Sequence, residues 1–160
     1  MKYLAKIQNG FAFSSNYFNH TDGVPLIRIR DINKPETENL YSGEYSEEFI
    51  VNNKDILIGM DGDFNVSKWP GKKGLLNQRV CRLIFNAVYY DKEFLFICLQ
   101  PYLNAINEET SAVTVKHLSS RSINDIPVPP RSPPRATRHS SQNRAALQRA
   151  GPRRGQPPGG

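Results

Sequence analysis

Apolar residues in this chain come in short blocks, each closed by turn-forming residues. The blocks Ile56-Leu57-Ile58-Gly59-Met60 and Val80-Cys81-Arg82-Leu83-Ile84-Phe85 have strand length. One later stretch alone keeps a helical period. That pattern argues against a helical bundle and for a strand-rich α/β (α+β) domain.

Along the chain, residues 24–32 nearly alternate apolar with polar from Leu26 on. This predicts a half-buried strand with Leu26, Ile27 and Ile29 inside and Arg28 and Arg30 on the other face. Pro25 restricts its start. Residues 44–51 lead into a second strand, and Asn52-Asn53-Lys54-Asp55 has turn chemistry. Residues 56–60 read as a fully buried strand, 61–65 as a tight turn and 79–85 as another strand, which 86–90 continue or end. Residues 91–107 are the helix candidate, with Leu95, Leu99, Tyr102, Leu103 and Ile106 at helical spacing. Asp91 suits its N-cap and Glu93 its first turn. Pro101 predicts a kink or an early stop. Residues 112–118 are a strand or short turn, and 119–130 lead into a proline-rich exit.

The character of the chain changes near residue 130. Residues 131–160 hold seven arginines, no acid, no lysine and no aromatic residue. Such a segment cannot bury a core, so it is expected to be a disordered tail after a domain of residues 1–130. The tail also explains the formal charge of +6: it carries +7, which leaves 14 basic against 15 acidic side chains, or −1, in the body. Nucleic-acid binding by the body must therefore rest on local patches. Binding by the arginine tail alone is a separate, non-specific possibility.

Several classes of function lack their motifs. There is no phosphate-binding loop, Gly-x-Gly-x-x-Gly, His-Glu-x-x-His, Cys-x-x-Cys or Gly-x-Ser-x-Gly, and no membrane-length apolar run. No cofactor is expected. Cys81 and Cys98 sit in apolar runs and read as small buried hydrophobes. Asp61 and Asp63 form an Asp-x-Asp pair, but with no second acidic cluster or histidine nearby in sequence a turn is favoured over a metal. A small metal-dependent nuclease built on that pair is the weaker alternative.

The segment Ser67-Lys68-Trp69-Pro70-Gly71-Lys72-Lys73-Gly74 reads as a hairpin tip whose lysines suit DNA phosphates. Trp69 either packs under that loop or wedges at a groove. Asn77, Gln78 and Arg79 follow, and such side chains pair with base edges in a major groove. They equally suit capping or bracing of a sheet. Arg28, Arg30, Lys68, Trp69, Lys72, Lys73, Asn77 and Gln78 are the leading candidates for DNA contact, with Lys116 and His117 behind them.

These residues also carry a family resemblance. Gly10-Phe11-Ala12-Phe13-Ser14-Ser15, Tyr17, Gly23 and Pro25-Leu26-Ile27-Arg28-Ile29-Arg30-Asp31-Ile32 come first. Asp55-Ile56-Leu57-Ile58-Gly59-Met60-Asp61-Gly62, Trp69 and Leu75-Leu76-Asn77-Gln78-Arg79-Val80 follow, and Lys116-His117-Leu118-Ser119 and Ile126-Pro127-Val128-Pro129-Pro130 close the series. In this order they resemble a target recognition domain of the specificity subunit of type I restriction-modification systems. The resemblance implies a curved, mostly antiparallel sheet with loops that grip double-stranded DNA. It also implies a non-enzymatic subunit of the prokaryotic cytoplasm. Such a subunit reads half of a split target and brings methyltransferase and restriction subunits to it.

The family continues with a long spacer helix where this chain has its arginine-rich tail. Back-translating the tail and reading one base later permits L-A-A-P-P-E-Q-H-A-I-V-A-K-I-E-Q-L-F-S-E-L-D-Q-G-V, which has the family's exit and helix pattern. Residues 131–160 are therefore expected to be out-of-frame translation. An inactive remnant that has lost the spacer helix is the alternative this leaves.

Overall fold

A computed structural model describes residues 1–85, 91–110 and 116–128. All described elements lie in the compact unit Met1–Pro129. They are β1 (Ala5–Asn9), β2 (Phe18–Asn19), β3 (Val24–Ile27), β4 (Leu40–Tyr41), β5 (Ile50–Asn52), β6 (Ile56–Gly59), β7 (Val66–Lys68), β8 (Lys73–Leu76) and β9 (Val80–Phe85), with helices α1 (Lys92–Glu109) and α2 (Ser120–Asn124). Strands β1-β9-β6-β7 form one antiparallel sheet and β2-β4-β3-β8-β5 a second. Within the second sheet β3 and β8 run parallel, and every other pairing is antiparallel. The expected mostly antiparallel α+β architecture is present, divided between two sheets.

The apolar blocks explain the layering. Strand β6 is buried along its whole length, and successive side chains point to opposite faces. Ile56 and Ile58 join Cys81, Leu83, Leu99, Leu103 and Ile123 in a core between the first sheet and the helices. Leu57 points the other way and meets Ile27, Val51, Trp69, Leu76 and Val80 between the two sheets. Leu26 and Leu75, one residue out of phase with Ile27 and Leu76, pack with Phe13 and Tyr41 on the far face of the second sheet. A strand covered on both faces needs a continuous apolar run, and 56–59 supplies it.

Three sequence expectations change. The strand predicted over 24–32 stops at Ile27, and a 3-10 turn occupies Ile29–Asp31. Asp31 accepts the Arg28 backbone N–H through Oδ2 at 3.2 Å. A side chain thus takes a donor that a longer strand would have given to the ladder. Arg28 and Arg30 consequently project from a turn, not from a strand face. Residues 67–74 are no hairpin: β7 pairs within the first sheet and β8 within the second, so the segment crosses between sheets. Helix α1 runs through Pro101 to Glu109. Pro101 is exposed and Ile97, whose carbonyl loses its partner, is 70% exposed, so the freed carbonyl lies on the watered side. The Asp91 N-cap is as expected, accepting the Glu93 N–H at 2.8 Å.

The short helix α2, absent from the sequence reading, starts where Ser119 Oγ accepts the Ser122 N–H at 3.0 Å. The expectations for residues 86–90 and for the tail lie outside the described residues, as does most of the strand or turn placed over 112–118.

Candidate nucleic-acid interface

Strands β3 and β8 pair in parallel with Ile27 opposite Leu76, so both chains leave the sheet at the same end. The turns that follow face each other across a cavity of about 450 Å³ lined by Arg28, Ile29, Arg30, Asn77, Gln78 and Arg79. Four of the candidates, Arg28, Arg30, Asn77 and Gln78, are thereby brought together.

Carboxylates hold the first turn. Asp31 is only 1% exposed and lies 3.5 Å from Arg28 Nε. Glu38 lies 3.9 Å from Arg28 Nη2 and 3.5 Å from Arg30 Nη2. Arg28 Nε and Nη2 are buried without a hydrogen bond of their own among the described residues. The second turn is packed against the N-terminal motif. Phe11 N–H donates to Leu76 O at 3.0 Å and Gln78 N–H to Phe11 O at 2.9 Å. A Cβ on Gly10 would stand 2.0 Å from the Asn77 carbonyl oxygen, so only glycine allows this approach. Asn77 is 6% exposed, and its Oδ1 is buried without a hydrogen-bond partner among the described residues.

Arg79 has a left-handed backbone, φ 70°, held by the Met60 N–H donating to its carbonyl at 2.8 Å. Its Nη1 donates to Asp61 Oδ2 at 2.9 Å, and His117 Nδ1 donates to Asp61 Oδ1 at 2.7 Å. Asp61 thus joins the turn after β6, the turn before β9 and the segment at His117. A left-handed non-glycine residue costs about 1–2 kcal/mol. An exposed ion pair contributes about 0–1 kcal/mol. The pair therefore does not offset the backbone strain at Arg79. The turn expected at 61–65 is present, with Gly62 at φ 75°. Among the described residues no group of three or more His, Cys, Asp and Glu stands close enough to hold a metal.

The other candidates lie elsewhere. Lys68 is ion-paired with Glu93 of α1, with its Nζ 4.7 Å from the centre of the Phe96 ring. Lys72 and Lys73 line a separate groove with Pro25, Pro35, Glu36, Thr37, Leu40, Pro70 and Gly71. Lys72, Lys73 and Lys116 have no ion pair among the described residues. Trp69 is 1% exposed in the core between the sheets, which corrects its place among the contact candidates. Its packing role stands, and a buried indole cannot wedge at a groove. In the sequence Arg79 ranks behind its two neighbours, and Asp61 reads as part of a turn or, more weakly, of a metal-holding pair. The Asp61–His117 pairing spans 56 residues, and no local spacing signals it.

A family model described as the type I restriction modification DNA specificity domain matches residues 2–132. The chain belongs to this family. The specificity subunit of the type I restriction enzyme EcoBI of Escherichia coli is 51% identical to it over 133 residues. That stretch is 81% of this chain and 28% of that subunit, so the chain spans less than a third of the relative. Among solved structures, the HsdS subunit from Thermoanaerobacter tengcongensis matches with a TM-score of 0.57 at 15% identity, covering 79% of this chain and 31% of that one. A chain from a study of complex assembly and conformational transition of the type I R-M system gives 0.59 at 17% identity, covering 79% and 32%. The S subunit of a type I restriction-modification system from M. genitalium gives 0.51 at 12% identity, covering 76% and 30%. These three share the fold of this specificity domain. Among the described residues no helix is long and apolar enough to cross a membrane.

Proposed function

We propose that this domain binds double-stranded DNA and reads one half of a split target for a type I restriction-modification assembly. The convergence of Arg28, Arg30, Gln78 and Arg79 on one cleft carries this reading. The charges of the three arginines are matched by Asp31, Glu38 and Asp61, so the cleft offers fixed donors more than net attraction. Fixed donors suit base edges, whereas the unpaired Lys72, Lys73 and Lys116 suit phosphates. The domain performs no chemistry of its own in this reading. It positions methyltransferase and restriction subunits on the DNA, in the prokaryotic cytoplasm; its Escherichia coli relative is named as the specificity subunit of a type I restriction enzyme.

Selection from a random duplex pool tests the reading. The full chain should enrich one contiguous sequence block, and recovery of unbiased duplexes would contradict it.

A further inference from the structure

We infer that Arg79, aligned by Asp61, reads a guanine in the major groove. The inference rests on the DNA-reading role proposed above and assigns one determinant within it.

Of the neighbours Asn77, Gln78 and Arg79, Asn77 is buried and spends its backbone on the junction with Phe11 and Ile27. Arg79 is different: its side chain is 56% exposed and yet fixed. Asp61 takes its Nη1 and is itself pinned by His117. Among the described residues Nε and Nη2 have no partner, so one edge of the guanidinium presents two donors. In the major groove guanine offers two adjacent acceptors, O6 and N7, which match that edge. Adenine offers one acceptor and one donor and cannot satisfy both.

Two observations favour a base over a phosphate or a simple brace. Asp61 compensates the charge of Arg79, so the pair adds little to attraction for the backbone. The left-handed φ of 70° at Arg79 would suit glycine better, and an exposed ion pair is a weak reason to keep arginine there.

The test repeats the duplex selection with the full chain and with Arg79→Lys and Asp61→Asn. Lysine keeps the charge and the backbone strain but replaces the two-donor edge with a point charge. Wild type should select a motif with one invariant guanine. R79K should lose preference at that position alone, about 10- to 100-fold. D61N should relax the same position and leave the rest of the motif intact, which a merely structural role would not do. Replacing that guanine with 7-deazaguanine removes N7 and should weaken wild type while leaving R79K unchanged.

Uniform weakening across all sequences in R79K, with base preference intact and the salt slope kept by the retained charge, would make Arg79 a phosphate contact and overturn the inference. An unchanged R79K motif would make the ion pair a brace and overturn it equally. In both cases the DNA-reading role survives. An unchanged D61N motif beside a relaxed R79K would remove the positioning role of Asp61. If wild type selects no motif, both the role and the inference fall.

Discussion

Trp69 and Gly71 show how one residue decides the use of another. The indole fits in the core because position 71 has no Cβ. An alanine there would stand 2.4 Å from the Trp69 ring and 2.8 Å from the Pro35 carbonyl oxygen. Gly71→Ala should destabilise the fold by about 1–3 kcal/mol, measured as a lower midpoint in urea. Burial acts on Cys81 as well, pushing its thiol up to about 12. At pH 8 only about one such thiol in ten thousand is ionised. Native protein should therefore leave Cys81 unlabelled by a thiol reagent at pH 8, with labelling appearing on denaturation. The apolar runs around Cys81 made its burial legible in the sequence. The anchoring of Arg79 was not, because its carboxylate partner comes from another turn and meets it only through the fold.

Single elements were legible where one face or one cap decided them. Strand β6 followed from its continuous apolar run, and helix α1 from its apolar period and from Asp91. Residues 28–32 misled because alternation continues past Ile27, while the Asp31 carboxylate takes the Arg28 N–H and turns the chain. Residues 67–74 misled because a hairpin and a crossing between sheets share the same local chemistry. The sheets are also joined by Arg82 of β9, only 12% exposed at its side chain. It donates to Ile50 O at 2.5 Å, Asp55 Oδ2 at 3.1 Å, Glu48 O at 2.9 Å and Gln8 Oε1 at 2.5 Å. Removing it strands those acceptors. Arg82→Ala should lower stability by about 2–3 kcal/mol, read from equilibrium unfolding. Lysine at this position should rescue only part of the loss, because it lacks the planar fork.

At the scale of the molecule, fold class and family were legible because the family's motifs stand in order over a body with strand-sized apolar blocks. The basic balance of the composition pointed the wrong way. Its excess belongs to residues 131–160, while the cleft pairs its arginines with carboxylates. Deleting residues 131–160 should therefore remove weak, salt-sensitive background binding and leave sequence preference unchanged in a competition assay. The nucleotide sequence across codon 130 decides directly whether that segment is out of frame.

The central claim, selective reading of duplex DNA by fixed donors, is tested most directly by affinity against salt. The full chain is titrated with a selected duplex and with its scrambled counterpart between 50 and 300 mM salt, about the range over which phosphate contacts weaken. Binding to the scrambled duplex should fall steeply while the preference for the selected duplex persists or grows. Equal affinities that fall together along one salt slope would show a phosphate binder and contradict the claim.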